Sequence, residues 1–64
     1  MPDFKKNFDK IRAEKELKME WIALEMGISY PGLQNIRRNS NPQYNNIIKL
    51  SKAMGVEPMA FFME

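Results

Sequence analysis

The side chains best able to bind a ligand lie in the middle of the chain, where amide groups and two arginines occur together. No Asp or Glu occurs between Met26 and Val56. Residues 1–28 carry six basic and six acidic groups, residues 29–56 carry four basic and no acidic ones, and residues 57–64 carry two acidic ones. An acid-free stretch with clustered cations and amide donors is the expected footprint of a nucleic-acid-binding face. The alternative is a solvated surface on which four cations cluster by chance.

The composition argues against catalysis and against a metal or cofactor site. The chain has no His and no Cys, which removes the commonest general base and the thiolate ligands. Its serines, Ser29, Ser40 and Ser51, have no evident activating partner. The sequence also lacks a glycine-rich loop that could hold a phosphate. We therefore expect no enzyme, no cofactor, no metal and no small-molecule ligand.

The length and hydropathy predict one small domain, spanning residues 1–64. Sixty-four residues can bury only a small core, so the helices must pack well or the protein must dimerise. No apolar run approaches the roughly 20 residues that cross a membrane. The first residues, MPDFKK, lack the apolar region of a signal peptide. We expect a cytoplasmic protein without a membrane partner.

Capping signals divide the first 38 residues into three helices. Asp3 can cap a first helix that runs to about Lys15, with an apolar stripe on one face and with Asp9 facing water. Gly27 suits the left-handed conformation that ends a helix, which predicts a second helix over residues 19–26. Ser29 can cap a third helix over residues 30–38, and Pro31 is tolerated in its first turn.

The remaining residues predict a loop and two further helices. Residues 39–43 are rich in turn formers. A fourth helix begins at Gln43 or Tyr44 and ends before Gly55, and we expect its buried face to comprise Tyr44, Ile47, Ile48, Leu50 and Met54. A short fifth helix follows from Pro58. No strand pattern occurs, so the predicted fold class is all-α with five helices.

The stretch from Met19 to Arg38, MEWIALEMGISYPGLQNIRR, resembles the helix-turn-helix of the lambda-repressor-like family, also called the Cro/CI or Xre type. The shared pattern comprises a small residue within the first helix, a glycine in the turn and apolar positions around them: Ala23, Gly27, Ile22, Met26, Ile28, Leu33 and Ile36. The resemblance extends over about residues 8–62. It implies a five-helix domain that binds an operator in double-stranded DNA and regulates transcription.

By position, the resemblance places two groups of residues against DNA. The outer face of the third helix would read bases, because the early side chains of such a helix meet base edges in the major groove. Asn35 and Gln34 can each offer adenine a donor and an acceptor, while Tyr30 and Pro31 can touch a thymine methyl group. The residues that would hold phosphates are Lys18, Arg37, Arg38, Asn39, Ser40, Asn45 and Asn46. The alternative is an ordinary polar helix surface.

Three departures from the family pattern concern the mode of DNA contact. Met19 stands where relatives commonly carry a phosphate-contacting Gln. Arg37 replaces an acid that can pair with Arg12 in relatives. Pro31 and Gly32 adjoin in the third helix, and Gly costs about 1 kcal/mol against Ala within a helix. The Met19, Pro31 and Gly32 departures favour an alternative function, a protein-interaction module such as an antirepressor or adaptor that keeps the fold without specific DNA binding.

The C-terminal segment predicts a homodimer. A helix of five residues cannot bury four large apolar side chains in its own core, and we expect Phe61 to be the inward one. Met59, Phe62 and Met63 would then form an apolar patch that suits a twofold contact. The principal hypothesis is a small Cro-type repressor of phage or mobile-element origin, which binds a near-palindromic operator as a dimer. The alternative is a monomer whose patch folds back on the first helix.

Overall fold

The computed structural model describes residues 3–39 and 41–63, which form four α-helices and one 3₁₀ helix. The α-helices are α1 (Phe4–Glu14), α2 (Met19–Met26), α3 (Tyr30–Arg38) and α4 (Tyr44–Met54), and the 3₁₀ helix is Pro58–Phe62. The described residues contain no strand. The predicted all-α class is confirmed, but the fifth helix is a 3₁₀ helix, the form that short helical segments commonly take.

Local capping accounts for most of the helix boundaries. The Asp3 carboxylate accepts a hydrogen bond from the Lys6 amide at 3.2 Å and starts α1. Gly27 and Gly55 both have φ of +71° and end α2 and α4, respectively, as predicted. The end of α1, predicted at about Lys15, lies at Glu14 with Lys15 as its C-cap, but the residue that terminates it was not predicted: Glu16 adopts the left-handed conformation there, with φ of +55°. Its amide donates to Ala13 and the Leu17 amide donates to Arg12, a Schellman arrangement that usually contains glycine.

The core lies between α1, α2, α4 and the 3₁₀ helix, with α3 packed against α1 and α2. Six large side chains are fully buried, one or two from each element: Phe8, Ile22, Leu33, Leu50, Met54 and Phe61. The predicted inward orientation of Phe61 is confirmed. The ring of Phe4 lies 5.5 Å from that of Phe61, centroid to centroid, so an aromatic cluster joins the two ends of the chain.

The C-terminal segment is also held to α1 by hydrogen bonds. The Asn7 amide nitrogen donates to the carbonyl oxygens of Phe61, at 2.8 Å, and Met63, at 2.7 Å. These contacts link residues more than 50 positions apart and fix the direction in which the chain leaves the 3₁₀ helix. The sequence offered no local signal for them.

Three side-chain placements differ from expectation. Tyr44 is 75% exposed instead of buried. It lies one turn before Ile47 on the same side of α4, but it is the first residue of the helix and extends beyond the end of the core. Asp9, expected to face water, is half-buried against Arg37 of α3. Ile48, also expected to be buried, is only half-buried, whereas Ile47, Leu50 and Met54 are buried as predicted. Ser51 joins this face by donating its hydroxyl to the Ile48 carbonyl at 2.7 Å.

None of the helices in the described residues combines the length and the apolarity that a bilayer crossing requires.

Candidate nucleic-acid interface

The turn between α2 and α3 is formed by Gly27, Ser29 and Pro31, the residues from which it was predicted. The Gly27 amide donates to the Leu24 carbonyl and the Ile28 amide donates to the Ala23 carbonyl at 3.0 Å, which closes α2. The Ser29 hydroxyl then accepts from the Gly32 amide at 3.1 Å, and Pro31 lies in the first turn of α3. A Cβ at position 32 would lie 3.1 Å from that hydroxyl oxygen. Gly32 has a low helix propensity, but the absence of a Cβ there leaves room for the capping hydroxyl of Ser29.

Leu33 anchors α3 in the core, and the opposite side of the helix is open. Leu33 is fully buried and Ile36 packs beside it against the core. Tyr30, at 41%, is exposed, as are Pro31, Asn35 and Arg38, whereas Gln34 is half-buried. The four predicted base-reading residues, Tyr30, Pro31, Gln34 and Asn35, thus belong to the solvent-facing part of one helix, the position from which side chains can enter a groove.

Hydrogen bonds already connect the polar side chains on this face. The Gln34 amide nitrogen donates to the Tyr30 hydroxyl at 3.1 Å. Arg38 folds back along the helix and donates from Nε to the Gln34 carbonyl at 3.3 Å and from Nη2 to Oδ1 of Asn35 at 3.1 Å. The face therefore presents two linked pairs instead of four independent side chains. The spacings of four and three residues that bring such pairs together are visible in the sequence.

Arg37 has a different environment from Arg38. Its guanidinium donates two hydrogen bonds to the Asp9 carboxylate, from Nε and from Nη2, each at 2.8 Å. These hydrogen bonds raise the pKa of Arg37, although burial opposes the shift and the nearby charge of Asp9 adds to it. Arg37 thus stays cationic, and its charge is matched by Asp9. The pair joins α1 to α3, and any contact of Arg37 with a phosphate would have to share the guanidinium with that carboxylate.

Arg12 has no acidic partner among the described residues. Its Nη1 donates to the Leu17 carbonyl at 3.2 Å, and its Nε is buried without a hydrogen-bond partner in the described chain. The ion pair that relatives can form with Arg12 is absent, as the Arg37 substitution predicts. The link between α1 and α3 is instead made by Asp9 and Arg37.

The predicted phosphate-binding residues lie on three elements. Lys18 is exposed at the N-cap of α2, and Arg38 is exposed in the last turn of α3. The Asn39 side chain accepts from the Asn41 amide at 3.0 Å and shapes the loop, while Ser40 lies outside the described residues. Asn45 is exposed and Asn46 half-buried in the first turn of α4. The N-cap residue of α4, Gln43, makes no capping hydrogen bond with its side chain, so it does not cap the first amide groups of the helix.

Met19 is not on the surface, although the family pattern implies a surface Gln at this position. Its side chain is 8% exposed and belongs to the core. A thioether cannot donate a hydrogen bond to a phosphate, and this one does not reach the surface. The phosphate contact expected at this position in relatives is thus replaced by apolar packing.

Three large apolar side chains near the C-terminus are exposed to solvent. Met59 is 74% exposed, Met63 62% and Phe62 44%. Phe62 still touches α1, since its ring centroid lies 6.5 Å from that of Phe4. Beside the patch runs an apolar groove between α4 and the 3₁₀ helix, lined by Pro42, Tyr44, Ile47, Pro58, Met59 and Phe62.

Comparison with known protein families identifies the fold. The pattern of the family described as "Helix-turn-helix" matches residues 9–61, which is most of the chain and covers α2, α3, α4 and the second half of α1. The chain belongs to the helix-turn-helix family. This match supports the lambda-repressor-like resemblance, and the protein is a DNA-binding regulator of the helix-turn-helix type. Its family is one of DNA-binding regulators and not of enzymes.

Comparison of this helix-turn-helix protein with curated proteins and with solved structures found no significant match. The described residues of the helix-turn-helix protein also bring together no group of three His, Cys, Asp or Glu side chains that could hold a metal ion.

Proposed function

We propose that this helix-turn-helix protein is a sequence-specific transcriptional regulator, most similar to a small Cro-type repressor of phage or mobile-element origin, acting in the cytoplasm on a near-palindromic operator. The observation that carries the proposal is the exposed polar face of α3. It lies in the acid-free part of the chain, and Leu33 fixes its orientation by burial on the opposite side. A rigid helix with an open polar face can enter the major groove.

Base reading in this proposal comes from Tyr30, Pro31, Gln34 and Asn35. The residues proposed to contact phosphates are Lys18, Arg38, Asn39, Ser40, Asn45 and Asn46. Arg37 would also contact a phosphate while it remains paired with Asp9. Phosphate contacts set the register of the protein on the duplex, and base contacts specify the sequence. The exposure of Arg38 and Lys18 on different elements supports a footprint that spans more than one phosphate.

The proposed dimer uses Met59, Phe62 and Met63. Their exposure, and the apolar groove beside them, support a twofold contact between two C-terminal segments. Two copies of α3 would then lie about 34 Å apart and read half-sites one helical turn apart. The monomer alternative is favoured by the contact of Phe62 with Phe4, which already covers part of the ring.

The decisive experiment is selection of bound duplexes from a random pool, followed by titration of the selected and scrambled duplexes over a series of salt concentrations. We expect enrichment of a near-palindrome and an affinity that falls steeply with salt, because each phosphate contact releases counterions. Failure to enrich any sequence, with weak binding that salt leaves unchanged, would contradict the proposal.

A protein-interaction module is the alternative function, and the burial of Met19 favours it. This burial removes one phosphate contact that the family pattern implies. Trp21, at 42%, and Leu24, at 77%, are also exposed on α2, where an apolar partner could bind. The same salt series distinguishes the two functions, since an adaptor that has lost its phosphate contacts binds random duplex weakly at every salt concentration.

A further inference from the structure

The outer face of α2 carries two large apolar side chains, Trp21 and Leu24, that are exposed to solvent. They lie three residues apart, so they are neighbours on one side of the helix. The opposite side is apolar as well, and its Ile22 and Ala23 are buried in the core. A helix that is apolar on both sides is normally covered on both sides. Within the described part of the chain, only the inner side of α2 is covered.

A carboxylate flanks this apolar pair on each side. With about 3.6 residues per turn, the exposed side chains follow one another around α2 in the order Glu20, Leu24, Trp21, Glu25. The helix contains no Lys or Arg to offset the two negative charges, and neither glutamate forms an ion pair within the described residues. An apolar centre with a charged rim is the anatomy of a protein–protein contact.

The same four residues have the spacing of a coiled-coil seam. Trp21 and Leu24 are separated as the a and d positions of a heptad are, and Glu20 and Glu25 then occupy the flanking g and e positions. Charges at e and g pair with opposite charges on the facing helix and decide which helix binds. A facing helix with Lys or Arg at its own e and g positions matches this seam. A second copy of α2 would instead oppose carboxylate with carboxylate.

The two carboxylates also disfavour other classes of ligand. Nucleic acid and anionic lipid surfaces both carry negative charge, which the glutamates repel. The C-terminal apolar patch of a second copy is preceded by Glu57, which is exposed, so its charge is of the same sign as the rim of the α2 face. Charge complementarity therefore favours a basic segment of a different protein.

We propose that the outer face of α2 docks a basic amphipathic helix of another protein. The apolar stripe of that helix covers Trp21 and Leu24, and its flanking Lys or Arg side chains pair with Glu20 and Glu25. The seam spans only about two helical turns, so the complex is weaker than a coiled coil of three or more heptads. The docking surface goes beyond the proposed function and does not depend on whether α3 binds DNA.

The test is selection from a display library of random helical peptides by the immobilised protein. Leu24→Ala removes an apolar side chain, and Tyr44→Ala is its control of matched exposure, 75% against 77% for Leu24. The double variant Glu20→Lys with Glu25→Lys reverses the rim. Its control, Glu14→Lys with Glu57→Lys, makes the same change of charge at exposed positions on other elements. Thermal melts establish that each variant is folded.

We expect the wild-type protein and both controls to enrich peptides with apolar residues at helical spacing and Lys or Arg beside them. The chain has one tryptophan, Trp21, so its emission should move to shorter wavelength as an enriched peptide covers the ring. Leu24→Ala should bind these peptides about five-fold or more weakly. The rim-reversed variant should lose them and enrich acidic amphipathic peptides that shift the same emission.

Three outcomes would overturn the inference. The first is that no enriched peptide shifts the Trp21 emission. The second is that Leu24→Ala and the rim-reversed variant retain the peptides that the wild-type protein selects. The third is self-association in sedimentation that Leu24→Ala abolishes, which would assign the face to a second copy. Titration of the wild-type protein with DNA duplexes is a separate measurement, so none of these outcomes decides whether α3 binds DNA.

Discussion

In the proposed function, individual side chains on the outer face of α3 distinguish one DNA sequence from another. Asn35→Ala should lower the affinity for the selected operator by roughly 1–3 kcal/mol, because one bidentate contact is lost, and leave the affinity for scrambled duplex nearly unchanged. Asn41→Ala is the control, since Asn41 is exposed and, among the described residues, forms a hydrogen bond only through its backbone amide. Fluorescence anisotropy on both duplexes measures the ratio, and an unchanged ratio in Asn35→Ala would mean that α3 does not read bases through this residue.

A second residue-level feature is the strained backbone conformation of Glu16. Glu16 holds a left-handed conformation that costs a residue with a Cβ about 1–2 kcal/mol, whereas glycine adopts it freely. Glu16→Gly should raise the free energy of unfolding by up to roughly 1 kcal/mol, since the added freedom of the unfolded chain offsets part of the gain. Glu14→Gly, two residues earlier and inside α1, should lower it by up to about 1 kcal/mol. Urea unfolding of both variants decides the sign, and destabilisation by Glu16→Gly would rule out strain at this turn.

At the scale of the helices, the stability of the fold depends on the close packing of α2 against α3 and α4. Ala23 is 4% exposed, so Ala23→Glu forces an unpaired carboxylate into the packed interior. We expect a loss of at least about 3 kcal/mol, enough to unfold a domain of this size. Ala13→Glu places the same side chain on the exposed side of α1 and should change stability by less than about 0.5 kcal/mol. Circular dichroism melts measure both, and a cooperative melt of Ala23→Glu near the wild-type temperature would contradict this packing.

The contact of α1 with α3 includes the Asp9–Arg37 pair, whose side chains are 35% and 25% exposed, respectively. Partial exposure and screening limit such a pair, even with two parallel hydrogen bonds, to about 0.5–1 kcal/mol. A double-mutant cycle with Asp9→Asn and Arg37→Gln should give a coupling energy in that range that declines at high salt. Because the pKa of Arg37 is raised, its part of this stability is present at neutral pH and is lost only when the pH rises through its folded-state value. A coupling energy near zero at low salt would show that the pair does not join the helices.

At the scale of the whole molecule, the proposed dimer uses the C-terminal patch of Met59, Phe62 and Met63. Phe62→Asp should shift sedimentation of the free protein from dimer to monomer and weaken operator binding, because a charge replaces an aromatic ring at the proposed twofold contact. Trp21→Asp is a control of matched exposure, 42% against 44% for Phe62, on a different surface. The Trp21 variant should remain dimeric. A wild-type protein that sediments as a monomer both free and on operator would exclude the dimer.

The sequence by itself determined where the helices begin and end and which family they form. Asp3, Gly27, Ser29 and Gly55 act on backbone groups within a few residues, so their effects can be predicted without the rest of the fold. The 3₁₀ form of the last segment and the left-handed Glu16 were not predicted, because a five-residue segment can form either type of helix and a residue other than glycine seldom adopts a positive φ.

Only the tertiary structure decided which side chains meet across helices. Asp9 with Arg37 and Asn7 with Phe61 are 28 and 54 residues apart, and no periodicity within one helix encodes such pairs. Burial of Met19 and exposure of Tyr44 likewise depend on where the core ends, which is set by neighbouring helices. The candidate base-reading residues could be placed from sequence because they share one helix face, but the hydrogen-bond partners that orient Asn35 became evident only when the side chains were in position.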